Sequence, residues 1–276
     1  MNRIFQATVA PPPFVFGATL GRACRGAALA AAAAGFVCAV GFESAHATTI
    51  YSENFSGSGS TDLNGQAPQI RPGTETWNAS TVFKANGTAA LNADPATGEN
   101  SSFLPFAPIV GQVYTLSASL AQPLANPAVS QDWWGAIAFT SGSDVNTSVG
   151  KVPNSASPWM LYRASGIVRT FTGTGGTGGE DEGTFSGTQT LSITLDTTAA
   201  QWQAEWKVGS STVRTQSFTT NPTINYVAFG RAQAGVDFDS FALVVVPEPG
   251  TLPLAGLGVA AAAWVVRRRG LGNSSR

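Results

Sequence analysis

Three groups of residues in this sequence have types and spacings that could do chemistry. Glu180, Asp181 and Glu182 stand in a row inside a Gly-rich stretch, residues 172–187. Asp237 and Asp239 alternate at the start of the apolar segment over residues 236–246, and Trp133 and Trp134 are adjacent with Asp132 before them. Paired carboxylates at a fixed gap are what cleavage of a glycosidic bond needs, one as acid and the other as base or nucleophile. Flat aromatic faces beside a hydrogen-bond acceptor are what a stacked sugar ring needs.

The three groups are not equally suited to those tasks. Consecutive side chains on an extended chain point to opposite faces, so Glu180, Asp181 and Glu182 cannot converge as a pair. Their setting, GGTGGEDEG, faintly resembles Gly-rich calcium repeats, but those work by stacking many copies and there is one copy here. The segment is expected to be a long, exposed, solvated loop without metal. Asp237 and Asp239 share a face, yet no third acid follows them, and they read as polar positions on the solvent side of a terminal strand. Trp133 and Trp134 must point to opposite faces if they lie on a strand, so one of them is expected outside, with Asp132 accepting from sugar hydroxyls. Trp202 and Trp206 share a face with Ala204 and Val208 and are expected in the core. The expected site is a glycan-binding surface at Asp132, Trp133 and Trp134, with no catalytic residue, metal or cofactor.

The elements that must position these residues are strands. Tyr114, Leu116, Ala118 and Leu120 alternate with Thr115, Ser117 and Ser119; Leu191, Ile193 and Leu195 repeat the pattern, as do Trp202, Ala204, Trp206 and Val208. That is the period of a half-buried strand. Turn signals separate the runs at Leu63-Asn64-Gly65, Ala85-Asn86-Gly87, Ala164-Ser165-Gly166 and Val208-Gly209-Ser210. No segment of residues 48–246 shows an apolar repeat at helical spacing. The expected fold class is all-β, an antiparallel two-sheet jelly-roll sandwich over residues 48–245, with its first and last strands side by side.

Both ends of the chain have a different character. Arg22 and Arg25 precede an apolar run over residues 26–42, and Ala45 and Ala47 follow at the small-residue positions of a signal-peptidase site. Residues 1–47 are expected to be a secretory signal with a signal helix, cleaved after Ala47. Cys24, Cys38 and His46 all lie within it, so the remaining domain has neither Cys nor His. That removes Ser-His-Asp and Cys-His nucleophile systems and His- or Cys-ligated zinc. Without disulfides the exported domain must stand on its core, and about 200 residues suffice to build one. Residues 48–246 carry fourteen acids against eight bases, which gives no electrostatic footprint for nucleic acid.

At the other end, residues 251–266 are sixteen uncharged residues followed by Arg267, Arg268 and Arg269. As a helix they would reach about 24 Å, a little short of a ~30 Å hydrocarbon layer, with Trp264 and the arginines reaching the interfaces. The arginines orient such a transmembrane helix with its end in the cytoplasm and the domain outside. Pro247-Glu248-Pro249, a short apolar helix and an Arg cluster, in that order over residues 246–276, resemble the PEP-CTERM sorting signal of Gram-negative bacteria. The resemblance implies an exported precursor anchored in the inner membrane. An exosortase, an integral-membrane transpeptidase, would cut at or near the motif and pass the domain to the cell surface or extracellular matrix. Prolines on both sides of Glu248 keep that site extended.

Leu63-Asn64-Gly65, Thr76-Trp77, DWWGAIAFT, PWMLYRASGIV, LDTTAAQWQAEW and VDFDSFALV are together similar to bacterial surface domains of the concanavalin-A-like lectin/glucanase architecture. Some such domains bind carbohydrate and some hydrolyse it; the hydrolases carry Glu-x-Asp-x-x-Glu on one strand, which this sequence lacks. The expected partners are signal peptidase, exosortase and exopolysaccharide. A structural surface protein without ligand, or a glycoside hydrolase with divergent carboxylates, are the alternatives.

Overall fold

The computed structural model describes residues 46–56, 61–85, 90–92, 98–123, 133–150, 158–173, 176–233 and 236–247. The expected signal and transmembrane helices lie outside them. Among the described residues there is no helix long and apolar enough to cross a membrane.

The strands in chain order are β1 (Thr48–Glu53), β2 (Thr61–Asp62), β3 (Asn78–Ala79), β4 (Phe83–Ala85), β5 (Ala90–Asn92), β6 (Glu99–Pro105), β7 (Gln112–Leu120) and β8 (Trp134–Thr140). They continue with β9 (Trp159–Arg163), β10 (Ile167–Phe171), β11 (Glu180–Thr184), β12 (Gln189–Asp196), β13 (Gln203–Val208), β14 (Ser211–Ser217), β15 (Tyr226–Ala232) and β16 (Phe238–Pro247). Two antiparallel sheets result. One has the order β14-β13-β12-β7-β16-β5-β4-β2, with β1 also paired to β16; the other is β11-β10-β9-β8-β15-β6-β3. The first and last strands do lie side by side, with Thr48 opposite Val245.

Alternation decides which side chains meet between the sheets. Leu116, Ala118 and Leu120 of β7 join Leu191, Ile193 and Leu195 of β12, and Ala204, Trp206 and Val208 of β13, in one apolar cluster. The facing sheet adds Ile137, Phe139, Met160, Tyr162, Val227 and Phe229 to the same cluster. Phe229 is its hub, with ring centroids 5.1 Å from Trp77, 5.1 Å from Phe83 and 4.5 Å from Phe238. The contacts to Trp77 and Phe83 are edge-to-face, an arrangement that adds ~0.5–1.5 kcal/mol each beyond the area buried. Two buried donors reach across the layer: the Trp206 indole N–H donates to the Trp159 carbonyl at 3.1 Å, and the Tyr51 hydroxyl to the Pro105 carbonyl at 2.6 Å. Burial pushes the Tyr51 phenol up to about 12, so it holds its proton for that bond.

The expectation of a long loop over residues 172–187 is corrected by β11, which pairs with β10 at the edge of its sheet. Asp181 makes an ion pair with Arg169 at 3.5 Å, and Glu180 with Arg214 of β14 at 3.1 Å. Arg214 also donates to the Gly178 carbonyl at 2.8 Å, so it ties the edge of one sheet to the edge of the other. Charged side chains on an edge strand also discourage pairing with another chain. The acids are used in strand pairing, which the local Gly content hides. Asp237 and Asp239 are exposed, as expected for the solvent side of a terminal strand.

Glu53 is a buried acid at the end of β1, 8 % exposed. Burial raises its carboxyl pKa, opposed by N–H donors that include the Phe55 amide at 2.7 Å. The folded protein therefore keeps this proton to a higher pH than the unfolded chain. Its stabilising contribution is complete below the ordinary carboxylate range and is lost as pH rises through the raised value. Glu53→Gln, whose amide oxygen can still accept from Phe55, should flatten that loss. Urea midpoints at pH 4 and pH 7 should differ less in the variant than in the parent; an unchanged difference would contradict this account of Glu53.

A candidate ligand cleft on the outer face of the seven-stranded sheet

An antiparallel sheet commonly leaves one face to water. The seven-stranded sheet does not: all of β8 is buried, and so is β15 after Tyr226. Its outer face carries a second apolar cluster that includes Trp134, Ala136, Ala138, Trp159, Leu161 and Phe171. Register sets these side chains in rows. Trp134 is opposite both Arg163 and Ala232, and Ala232 is opposite Glu99. In the next rows Leu161 is opposite Ala136 and Arg169, and Trp159 is opposite Ala138 and Phe171.

Between Trp134 and Glu99 the small Ala232 leaves space that the larger side chains around it do not fill. The result is a cleft of about 390 Å³ lined by Trp134, Trp159, Leu161, Phe171, Arg163 and Arg169, with Glu99, Ser148 and Gln233 at its margins. Trp159 and Phe171 stack with centroids 3.7 Å apart and planes within 5°, and Trp134 lies 6.2 Å from Trp159. The Trp159 indole N–H donates to the Gly173 carbonyl at 3.1 Å, which fixes the ring. On the polar side, Arg169 is held by Asp181 and lies over Phe171, 5.4 Å from its centroid. The Nε–H of Arg163 is buried and has no hydrogen-bond partner among the described residues. Gln233 sits at φ 52°, in the left-handed region that a non-glycine residue seldom occupies, and its N–H donates to the Gly98 carbonyl at 2.9 Å. Strain of that kind collects at binding sites.

The residues expected from the sequence fall in different places. Trp134 lines the cleft. Trp133 points the other way, as alternation requires, and packs in the core between the sheets. Neither is an open platform, at 7 % and 8 % exposed, Trp133 because it packs between the sheets and Trp134 because it packs in the outer-face cluster. Asp132 lies outside the described residues. Trp202 and Trp206 are in the core, as expected. Trp159, Phe171, Arg163 and Arg169 were not singled out by spacing. The available signal was PWMLYR followed by IVRTF, two strands whose outward positions carry aromatics and arginines together. Pro247 ends β16, Ala47 is exposed just before β1, and Ala45, Glu248, Pro249 and Arg267–Arg269 lie outside the described residues.

Carboxylates suited to a paired mechanism are not gathered at this cleft, where Glu99 is the acid among the described lining residues. Asp196 and Glu205 share a shallow depression on the other sheet. There Asp196 accepts from the Thr198 amide at 2.9 Å, while Glu205 accepts from the Thr212 hydroxyl at 2.6 Å and pairs with Lys207 at 2.9 Å. The Thr212 bond and then Lys207 hold the Glu205 carboxyl below its usual range, the opposite of what a general acid needs. Among the described residues no group of three His, Cys, Asp or Glu could hold a metal ion.

A family model for the PEP-CTERM protein-sorting motif matches residues 245–269. The chain carries an exosortase sorting signal. The PEP-CTERM motif indicates an exported, membrane-anchored precursor and implies processing by an exosortase. A comparison with curated proteins gives no match. Among solved structures, the chain is similar to an endo-1,3-beta-glucanase from Streptomyces sioyaensis, at 13% identity and TM-score 0.48, over 72% of this chain and 96% of that one. It is also similar to peanut lectin, at 10% identity and TM-score 0.44 over 73% and 98%, and to the exoplasmic/lumenal domain of VIP36, at 10% and 0.45 over 72% and 92%. These are β-sandwiches of the concanavalin-A-like lectin/glucanase architecture.

Trp159 gives a test of how tightly the cleft is built. A Cβ added at Gly150 would stand 2.3 Å from its indole ring, so the backbone there must carry no side chain. Gly150→Ala should push the ring off Phe171 and cost about 1–3 kcal/mol, the usual range for overpacking. Loss of near-ultraviolet circular dichroism together with a lower urea midpoint would show it; an unaltered spectrum would contradict the packing described.

Proposed function

We propose that the exported domain is a non-catalytic glycan-binding unit that associates with exopolysaccharide at the cell surface or in the extracellular matrix. The observation that carries this reading is the cleft itself. Aromatic rings and planar, hydrogen-bonding side chains converge on one concave surface, which is the combination that sugar rings and their hydroxyls require. Trp134 supplies apolar surface, and Arg163 beside it supplies an Nε–H that no described residue accepts. The absence of a second carboxylate among the described lining residues supports binding over hydrolysis. The sorting motif supports the setting, because it directs the protein to where such polymers are found. The sequence reading placed the same activity at Asp132, Trp133 and Trp134; the proposal keeps Trp134 and moves the site to the face that Trp159, Phe171, Arg163 and Arg169 share.

The test is retention of the exported protein on immobilised exopolysaccharide from the expressing cells. Trp134→Ala and Arg163→Met should each weaken retention about 10–100-fold, the loss expected when ~1.5–3 kcal/mol of charge-assisted hydrogen bonding or ring contact is removed. Failure of the parent protein to bind any matrix polysaccharide would leave the structural alternative. Release of reducing ends from the polymer would instead establish a hydrolase.

A further inference from the structure

Ile109 and Val110 are 70 % and 68 % exposed, and Val246 is 36 % exposed. All three lie at one end of the nine-stranded sheet. Ile109 and Val110 sit in the turn leading into β7, and Val246 and Pro247 at the end of β16 pair with Val113 and Gln112 at the start of β7. Thr48, the first residue of β1, is opposite Val245 at the same end.

This turn is built, not loose. The Ile109 N–H donates to the Tyr114 hydroxyl at 2.7 Å, the Gly111 N–H donates to the Thr197 carbonyl at 3.0 Å, and the Thr197 N–H donates to the Gln112 carbonyl at 3.0 Å. Gly111, at φ 88°, supplies a conformation that a side chain at that position would strain. The backbone is thus satisfied while two branched apolar side chains are held out into solvent. Asp196, opposite Val113, accepts from the Thr198 amide and is set back in the strand ladder from the Ile109–Val110 turn. Scattered exposed apolar residues need no explanation, but these three share the end from which the chain leaves for residues 251–266.

We propose that Ile109, Val110 and Val246 form a lipid-contacting foot that seats the sandwich on the outer surface of the membrane holding its precursor. The inference rests on the membrane-anchored precursor that the sorting motif indicates. Four residue steps join Pro247 to Thr251, a stretch of chain that spans at most ~14 Å. Tethering at such short range raises the effective concentration of the foot at the interface, so a small apolar area suffices. The foot restrains the sandwich from swinging freely on its short tether and holds Pro247-Glu248-Pro249 at the membrane surface, where an integral-membrane processing enzyme reads it.

The experiment uses the full chain, with Cys24→Ser and Cys38→Ser, reconstituted into phosphatidylethanolamine–phosphatidylglycerol vesicles. An environment-sensitive fluorophore is attached at Val110→Cys or, as a control, at Ile70→Cys, since Ile70 is also exposed, at 47 %, but packs beside β1 at Ser52. The label at 110 should shift its emission to the blue and be quenched by lipids spin-labelled near the headgroup, while the label at 70 should do neither. Flotation of the vesicles reports anchoring separately. If the chain fails to float, the anchored precursor and the foot both fall. If it floats and the label at 110 behaves like that at 70, the foot alone is overturned. Loss of processing in cells carrying Ile109→Ser with Val110→Ser, combined with a water-exposed label at 110, would assign the patch to the processing enzyme and reject lipid.

Discussion

β8 and β15 bury nearly every side chain they carry, so the seven-stranded sheet must be kept from water on two faces at once. One face is closed by the other sheet, through Phe229 and the rings around it. Among the described residues no sheet covers the other face, and chain segments cross it. Val149 lies where a side chain on Gly230 would stand, and Gly150 lies against Trp159. Among the described residues this cover leaves a space, which is the cleft. The aromatics and arginines around that space are therefore at once packing and surface.

The two ends of this arrangement are secured differently. At the β11 edge, charge does the work: Arg214 and Arg169 hold an acidic strand that has no apolar side chain to anchor it. In the nine-stranded sheet, by contrast, β16 is central, paired with β7 along its length and with β1 on its other flank. That pairing runs as far as Pro247, the first residue of the Pro-Glu-Pro motif, so the matched sorting motif, residues 245–269, overlaps the last residues of β16. Release of the domain by cleavage just beyond this point would leave its last strand intact.

Sequence was informative where one face of a strand meets water. In β7, β12 and β13 the apolar and polar residues alternate, and their extents and inward faces follow from that alone. It was uninformative where both faces are apolar. WGAIAFT has no alternation to read, and nothing local tells that Trp133 turns inward while Trp134 looks into a cleft. β11 was hidden for a different reason, since Gly, Glu and Asp are poor strand formers and what holds it, the ladder to β10 with Arg169, Thr170 and Arg214, comes from other strands. The sorting signal, by contrast, is linear and was readable outright. The cleft required register: Trp134, Arg163, Trp159 and Phe171 come from three strands, and only pairing brings them together.

The central claim is that the cleft on the outer face of the seven-stranded sheet is where ligand binds. The most direct measurement is a titration of the exported protein with matrix oligosaccharides, followed through its tryptophan indole N–H resonances by nuclear magnetic resonance. Trp134 and Trp159 should shift in a saturable way, while Trp77, Trp202 and Trp206, packed between the sheets, should not. Saturable shifts confined to the core tryptophans, or none at all, would contradict the account.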